Sequence, residues 1–125
     1  MEYTNFEVDK MLREMTILID TREQDNAALH KRIQAMGCSV ERRKLDYGDY
    51  SCKCVLPDGR EYSLQNKVVV ERKMGADEIC GNFTRGRARF SREFERAKKD
   101  GARVFVLIEG ESWEKLLAGD YRSKL

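Results

Sequence analysis

The chain has 125 residues, of which 41% are hydrophobic and 37% are charged, and its formal net charge is +2 at pH 7. This length fits one domain, and the composition is typical of a globular protein with a solvated surface, not of a disordered one. No apolar run approaches the roughly 18 residues of a membrane span, and the polar N-terminus does not resemble a secretory signal. We therefore expect an intracellular protein, in the cytoplasm or the nucleoid if bacterial or phage-derived, that is neither secreted nor membrane-bound.

The first half of the chain predicts a strand followed by a helix. Residues 1–15 are polar, and we expect them to form a loosely ordered leader before a single domain over residues 16–125. Residues 16–20 predict a short buried strand that ends on Asp20. Apolar residues at helical spacing between residues 24 and 36, followed by Gly37, predict a helix with a glycine stop.

The rest of the chain alternates further strands with helices. Strands with turn signals between them are predicted over residues 39–46, 50–56, 60–66 and 67–71. Helices are predicted over residues 76–81 and 84–100, with another that begins near Ser112. Residues 103–109 form a nearly continuous apolar run, which is typical of a strand covered on both faces. Together these elements predict an α/β domain with a central mixed sheet and helices on both of its faces.

The sequence Glu71-Arg72-Lys73 is an acid-x-lysine pattern of the kind that metal-dependent nucleases use. The pattern alone has little weight, because such triplets arise by chance in a chain so rich in charge. Since side chains alternate along a strand, however, Glu71 and Lys73 should project from the same face. That face then presents an acid beside an amine.

Other acids follow predicted strand ends or turns, namely Asp20, Asp49 and Asp77. Carboxylates clustered at the margin of an apolar sheet repel one another unless a cation or a proton relieves them. Oxygen ligands favour Mg²⁺ or Mn²⁺. The alternative is that these acids pair with Arg22, Arg72 and other basic groups, and spacing alone leaves both interpretations open.

A set of motifs in this order resembles the nuclease domain of XPF-type structure-specific endonucleases. The motifs are Asp20-Thr21-Arg22-Glu23, Gly48-Asp49-Tyr50 and Val70-Glu71-Arg72-Lys73-x-x-x-Asp77. The resemblance covers about residues 16–122 and implies a restriction-endonuclease-like, three-layer α/β/α fold. It also implies hydrolysis of DNA phosphodiester bonds, on branched, flap or fork DNA in repair or recombination, with Mg²⁺ or Mn²⁺ and no small-molecule cofactor.

The resemblance implies a role for each matching residue. Metal ligands are expected at Asp49 and Glu71, with Asp20 nearby and Asp77 also bearing on the metal. Lys73 is expected to orient the attacking water and to face the charge that develops on the phosphate. The remaining assigned residues are Arg72, Glu23 and Arg22 as supporting positions and Arg87 as a contact to the scissile phosphate, with a buried ion pair as the alternative for Arg87.

The predicted helix over residues 84–100 has a basic stripe opposite an apolar one. The basic side chains that share one arc are Arg85, Arg89, Arg92, Arg96 and Lys99. Such a stripe indicates either a surface that follows the phosphates of DNA or an ordinary solvated helix face.

The resemblance leaves the partners and one functional alternative open. Many relatives carry a helix-hairpin-helix module, which this sequence does not contain. DNA and a second copy of this chain, in a homodimer through the nuclease domain, are the partners that the resemblance implies. XPF-type nucleases often pair an active chain with a degenerate one, so a non-catalytic DNA-binding or scaffold partner is the alternative to an enzyme. Degenerate partners lose the motif acids, whereas Asp49, Glu71 and Lys73 are present here. A sequence-specific or RNA-directed nuclease on the same fold is less favoured, because no recognition domain is visible.

Overall fold

The protein is described here by a computed structural model that covers residues 2–73 and 87–108. Within these ranges the chain forms three helices and a sheet of six strands. The helices are α1 (Asn5–Arg13), α2 (Ala27–Met36) and α3 (Arg87–Lys99). The strands are β1 (Thr16–Ile19), β2 (Ser39–Arg42), β3 (Tyr50–Val55), β4 (Glu61–Ser63), β5 (Val68–Lys73) and β6 (Arg103–Ile108).

Local sequence fixes where the first two helices begin and end. The hydroxyl of Thr4 accepts a hydrogen bond from the backbone N–H of Glu7 at 3.1 Å, and the Glu7 carboxylate accepts one from the Thr4 N–H at 3.0 Å. This capping box starts α1 inside the segment that we expected to be a loosely ordered leader, although none of the helix residues is buried. Asn26 caps α2, and Gly37 ends it with φ of 64°, as the sequence predicts.

The sheet is mixed, with the strand order β2-β1-β3-β5-β6. Two parallel pairs, β1 with β2 and β5 with β6, flank the central strand β3, which runs antiparallel to β1 and β5. Strand β4 pairs with the outer half of β3 as the second arm of the predicted hairpin. Because β3 opposes both neighbours, its first residue, Tyr50, pairs with Ile19 at the end of β1 and with Val70 in the middle of β5. This edge of the sheet carries the motif acids.

The two longer helices cover opposite faces of the sheet. On one face Leu29 of α2 packs in a buried cluster with Ile19 and Tyr50, against which Val70 also packs. On the other face Ala97 of α3 packs with Tyr47 and Val69. Val69 and Val70 are successive strand residues and therefore point to opposite sides. The predicted α/β architecture with helices on both faces of a mixed sheet is confirmed.

The last described strand differs from its prediction. Among the described residues β6 lies at the end of the sheet, and three of its side chains are about half exposed: Phe105 at 55%, Val106 at 44% and Leu107 at 49%. The expectation that both faces of this strand are covered is therefore wrong for the part of the chain that the structure describes. Within the same ranges, no helix is both long enough and apolar enough to cross a bilayer.

Candidate active site

Backbone hydrogen bonds bring the ends of three strands together at one edge of the sheet. The N–H of Asp20, directly after β1, donates to the carbonyl of Asp49 at 2.8 Å, and the N–H of Asp49 donates to the carbonyl of Val70 at 2.8 Å. Asp49 directly precedes β3, while Glu71 and Lys73 lie two residues apart in β5. The sheet order thus assembles residues that are more than fifty positions apart in sequence.

Glycine is required immediately before Asp49. Gly48 is buried, has φ of 78°, and lies so close to β5 that an added Cβ would be 2.7 Å from the Cβ of Val69. Any larger residue here would be strained by the left-handed backbone and would clash with Val69. The glycine of the Gly48-Asp49 motif therefore lets the loop directly before Asp49 lie against the sheet.

The Asp49 carboxylate is held in an environment that disfavours its charge. Its Oδ2 accepts a hydrogen bond from the backbone N–H of Arg72 at 2.7 Å. Burial, followed by the charge of Glu71, raises the pKa of Asp49 to about 7, although the bond from Arg72 and the charge of Lys73 act in the opposite direction. A carboxylate with these neighbours is stabilised by any cation that approaches it.

Glu71 and Lys73 form the buried acid and amine pair that strand alternation predicts. The Lys73 Nζ lies 3.0 Å from the Glu71 Oε1, and the two side chains are only 7% and 11% exposed. Burial raises the pKa of Glu71 in spite of the hydrogen bond from Lys73. Val69, Glu71 and Lys73 are alternate residues of β5, so their side chains lie on the same face of the sheet. Val69 packs against α3, and the acid and amine pair therefore lies on the face that this helix covers.

Asp20 is the most enclosed acid of the site, with no exposed surface. Its Oδ1 accepts a hydrogen bond from the backbone N–H of Leu45 at 2.9 Å, and its Oδ2 accepts one from the Nε of Arg22. Both oxygens therefore already have donors from the protein. These bonds tie the end of β1 to the loop before β3, and the ligand role that the family resemblance implies for Asp20 stays a prediction.

Glu93 is a site residue that the sequence analysis missed. Its Oε1 lies 3.4 Å from the NH1 of Arg22, and its side chain is 16% exposed. A cavity of about 10 Å³ on this side of the sheet is lined by Tyr47, Gly48, Glu71, Glu93, Phe94 and Val104. One signal could have revealed Glu93, because helical spacing places it between Phe90 and Ala97, and an acid on the apolar side of an amphipathic helix needs a partner.

Three further contacts support the loops around the site. The hydroxyl of Tyr50 donates to Glu23 at 2.8 Å, and Arg32 lies 3.8 Å from the same carboxylate. The supporting role of Glu23 stays a prediction. The buried Tyr47 donates its hydroxyl to Asp100 at 2.9 Å, which ties the loop before Asp49 to the end of α3. Burial and this acid raise the pKa of Tyr47 to about 12.

Helix α3 presents the predicted two-sided pattern as far as its side chains are described. Ala97 is buried and Phe94 is half-buried, whereas Arg92, Arg96 and Lys99 are exposed. Of the other predicted site residues, Asp77 and Arg85 lie outside the described residues, as do the side chains of Arg87 and Arg89.

The donor chemistry of the site suits a hard divalent cation, although the described residues do not form a complete cage. Within residues 2–73 and 87–108, no three acidic, histidine or cysteine side chains are placed to hold a metal ion by themselves. Mg²⁺ is usually bound by one or two carboxylates and completes its coordination with water and substrate phosphate oxygens. Burial is the largest cause of the raised pKa values of Asp49 and Glu71, and these two carboxylates fit that kind of site.

Comparisons with known proteins agree with the motifs. The family model described as the ERCC4 domain matches residues 19–124. Among solved structures, XPF from Aeropyrum pernix is similar at 15% identity and a TM-score of 0.37, with 74% of this chain and 53% of that chain covered. This chain thus spans about half of that protein. A comparison with curated proteins found no match. On the strength of a match over nearly its whole length, the chain belongs to the ERCC4 domain family of XPF-type nuclease domains.

Proposed function

We propose that this domain is a divalent-metal-dependent endonuclease that hydrolyses phosphodiester bonds of DNA, with branched, flap or fork structures as its substrates. The observation that carries the proposal is the group formed by Asp49, Glu71 and Lys73 at the strand ends. Burial and mutual repulsion disfavour the charges of the two acids, while the amine is held 3.0 Å from one of them. Family membership adds a nuclease context to this geometry.

In the proposed site Asp49 and Glu71 hold Mg²⁺ or Mn²⁺, which when bound supplies Lewis-acid stabilisation of the phosphate. The N–H of Arg72 fixes one Asp49 oxygen, and in this proposal the other oxygen binds the cation. Lys73 is anchored by Glu71 and contributes a positive charge beside the place where negative charge develops on the phosphate. Asp20 holds the loop before β3.

DNA binding is assigned to the exposed side of α3. Arg92, Arg96 and Lys99 share one arc of the helix, whose opposite side packs against the sheet that carries Glu71. In this proposal the phosphates of bound DNA contact this stripe. Repeated phosphate contacts of this kind supply affinity without base specificity, which suits an enzyme that recognises DNA shape.

The test is cleavage of end-labelled flap, fork and linear duplex DNA by the purified protein with Mg²⁺, Mn²⁺ or EDTA. We expect cuts near the junction of branched substrates with either metal and none with EDTA. Asp49→Asn should remove cleavage, while Asp58→Asn, in the exposed turn between β3 and β4, should retain it. Cleavage in EDTA, or cleavage by Asp49→Asn at the wild-type rate, would contradict the proposal.

The same assay separates the enzyme from a non-catalytic DNA-binding partner. The exposed cations of α3 favour DNA binding whether or not the chain cuts. If the wild-type protein binds branched DNA but does not cleave it with either metal, the scaffold alternative is correct.

A further inference from the structure

Arg22 places a positive charge near the carboxylates that are proposed to bind a cation. Its Nε donates to the fully buried Asp20, and this bond helps to hold the loop that leads to Asp49. The guanidinium charge also acts on Glu71, where it lowers the tendency of that carboxylate to hold a proton. A fixed positive charge at this place would repel a divalent cation bound by Asp49 and Glu71.

Asp20 offsets part of this charge, and Glu93 is the second acid that reaches Arg22. It reaches Arg22 from α3, 71 positions later in the chain, at 3.4 Å, and its side chain is mostly buried at 16% exposure. It lines the same small cavity as Glu71 and acts electrostatically on that carboxylate with a sign opposite to that of Arg22. Glu93 and Glu71 lie on different elements, so only the packing of α3 on the sheet brings them together.

We infer that Glu93 is a positioning residue of the metal site, which together with Asp20 offsets the charge of Arg22, so that Arg22 can anchor Asp20 without weakening cation binding. The inference rests on the proposed metal-dependent function. Glu93 touches neither substrate nor metal in this assignment, and it acts through Arg22 and through the potential at Glu71.

The test measures Mn²⁺ binding to the DNA-free protein by calorimetry. Glu93→Gln, which keeps the shape of the side chain, should weaken Mn²⁺ binding by about three- to tenfold, since Arg22 is half exposed and water screens part of its charge. Glu93→Asp, which retains the charge, should bind more tightly than Glu93→Gln. The matched control Glu95→Gln, on the exposed side of the same helix, should bind Mn²⁺ like the wild type.

The double variant Arg22→Gln/Glu93→Gln, compared with Arg22→Gln, decides between charge compensation and a merely structural role. We expect Glu93→Gln to cost less Mn²⁺ affinity in the Arg22→Gln background than in the wild type, because the charge that Glu93 offsets is then absent, while the loss of the Arg22 bond to Asp20 is common to both proteins of that background. If Glu93→Gln weakens Mn²⁺ binding as much in the Arg22→Gln background as in the wild type, or if Glu93→Asp is no better than Glu93→Gln, the inference is overturned. Absence of Mn²⁺ binding and cleavage in the wild type would instead refute the proposed function, and the inference with it.

Discussion

Lys73 illustrates how one side chain can contribute to chemistry without contributing to metal affinity. Its amine is buried beside Glu71 and cannot bind a cation while protonated. We predict that Lys73→Ala lowers the single-turnover cleavage rate by roughly 10²–10³-fold, a typical loss for one electrostatic stabiliser. Calorimetric Mn²⁺ binding and DNA affinity should not weaken. A Lys73→Ala protein that no longer binds Mn²⁺ would show that the amine holds the site together instead.

Asp49 is expected to make the metal-free protein sensitive to pH. Its pKa is raised from 3.8 to about 7, so the folded state favours the protonated carboxyl. The resulting stabilisation is present below the unfolded value and is lost as the pH rises through about 7. In EDTA, the wild type should therefore lose stability relative to Asp49→Asn as the pH rises from 4 to 8. The difference between their free energies of unfolding is measured by urea denaturation. A difference that is the same at every pH would contradict this assignment.

At this scale the sequence predicted the acids of the sheet better than their partners. Glu71 and Lys73 share a face because alternation is a local property of a strand. Asp49 follows a glycine that the local turn requires. The pairing of Arg22 with Glu93 depends on how α3 lies on the sheet, which no local pattern specifies. The occupied oxygens of Asp20 were missed for the same reason, because Leu45 donates to it from another loop.

Among the elements, the loop before β3 depends on glycine for its contact with β5. We predict that Gly48→Ala destabilises the protein by about 2–4 kcal/mol, since it combines a left-handed backbone with overpacking against Val69. The control is Gly101→Ala, which has a similar φ of 70° and open space around its Cβ, so it should cost only about 1–2 kcal/mol. Equal losses of unfolding free energy in the two variants would mean that the close approach has no energetic weight.

Helix α3 is expected to bind DNA through counterion release. We predict that the triple change Arg92→Gln, Arg96→Gln and Lys99→Gln weakens binding to all DNA structures and reduces the salt slope by about 0.9 for each lost phosphate contact. The charge-matched control changes Lys10, Lys31 and Lys44, which are exposed on other parts of the chain. Salt slopes that match those of the wild type in the triple variant would identify the stripe as an ordinary solvated face.

The elements that sequence patterns predicted well are those with strong local signals. Asn26 and Gly37 define the ends of α2, and the turn at residues 57–59 defines the hairpin. The apolar pattern of β6 correctly predicted a strand, but it could not reveal that the described strand has a neighbour on only one side. In α1 the cap at Thr4 was a local signal that the polar composition of the segment obscured.

The whole molecule places its reactive group where the start of the antiparallel strand β3 meets the end of β1 and the middle of β5. The order β2-β1-β3-β5-β6 makes this junction the point at which motifs from distant parts of the chain converge. The alternation of strands with helices predicted the α/β class, and the ordered motifs predicted the family. The strand order itself arises from non-local pairing, so it could not be derived from periodicity.

The central claim is that Glu71, as a metal ligand in this junction, is needed for cleavage and not for folding or DNA binding. The most direct measurement is single-turnover cleavage of a flap substrate by wild type and Glu71→Gln across a Mn²⁺ titration, with DNA affinity and thermal stability measured on the same preparations. We predict that the wild-type rate rises to saturation with Mn²⁺, while Glu71→Gln gives no cleavage at any concentration and binds the flap normally. Cleavage by Glu71→Gln with the wild-type Mn²⁺ dependence would contradict the account.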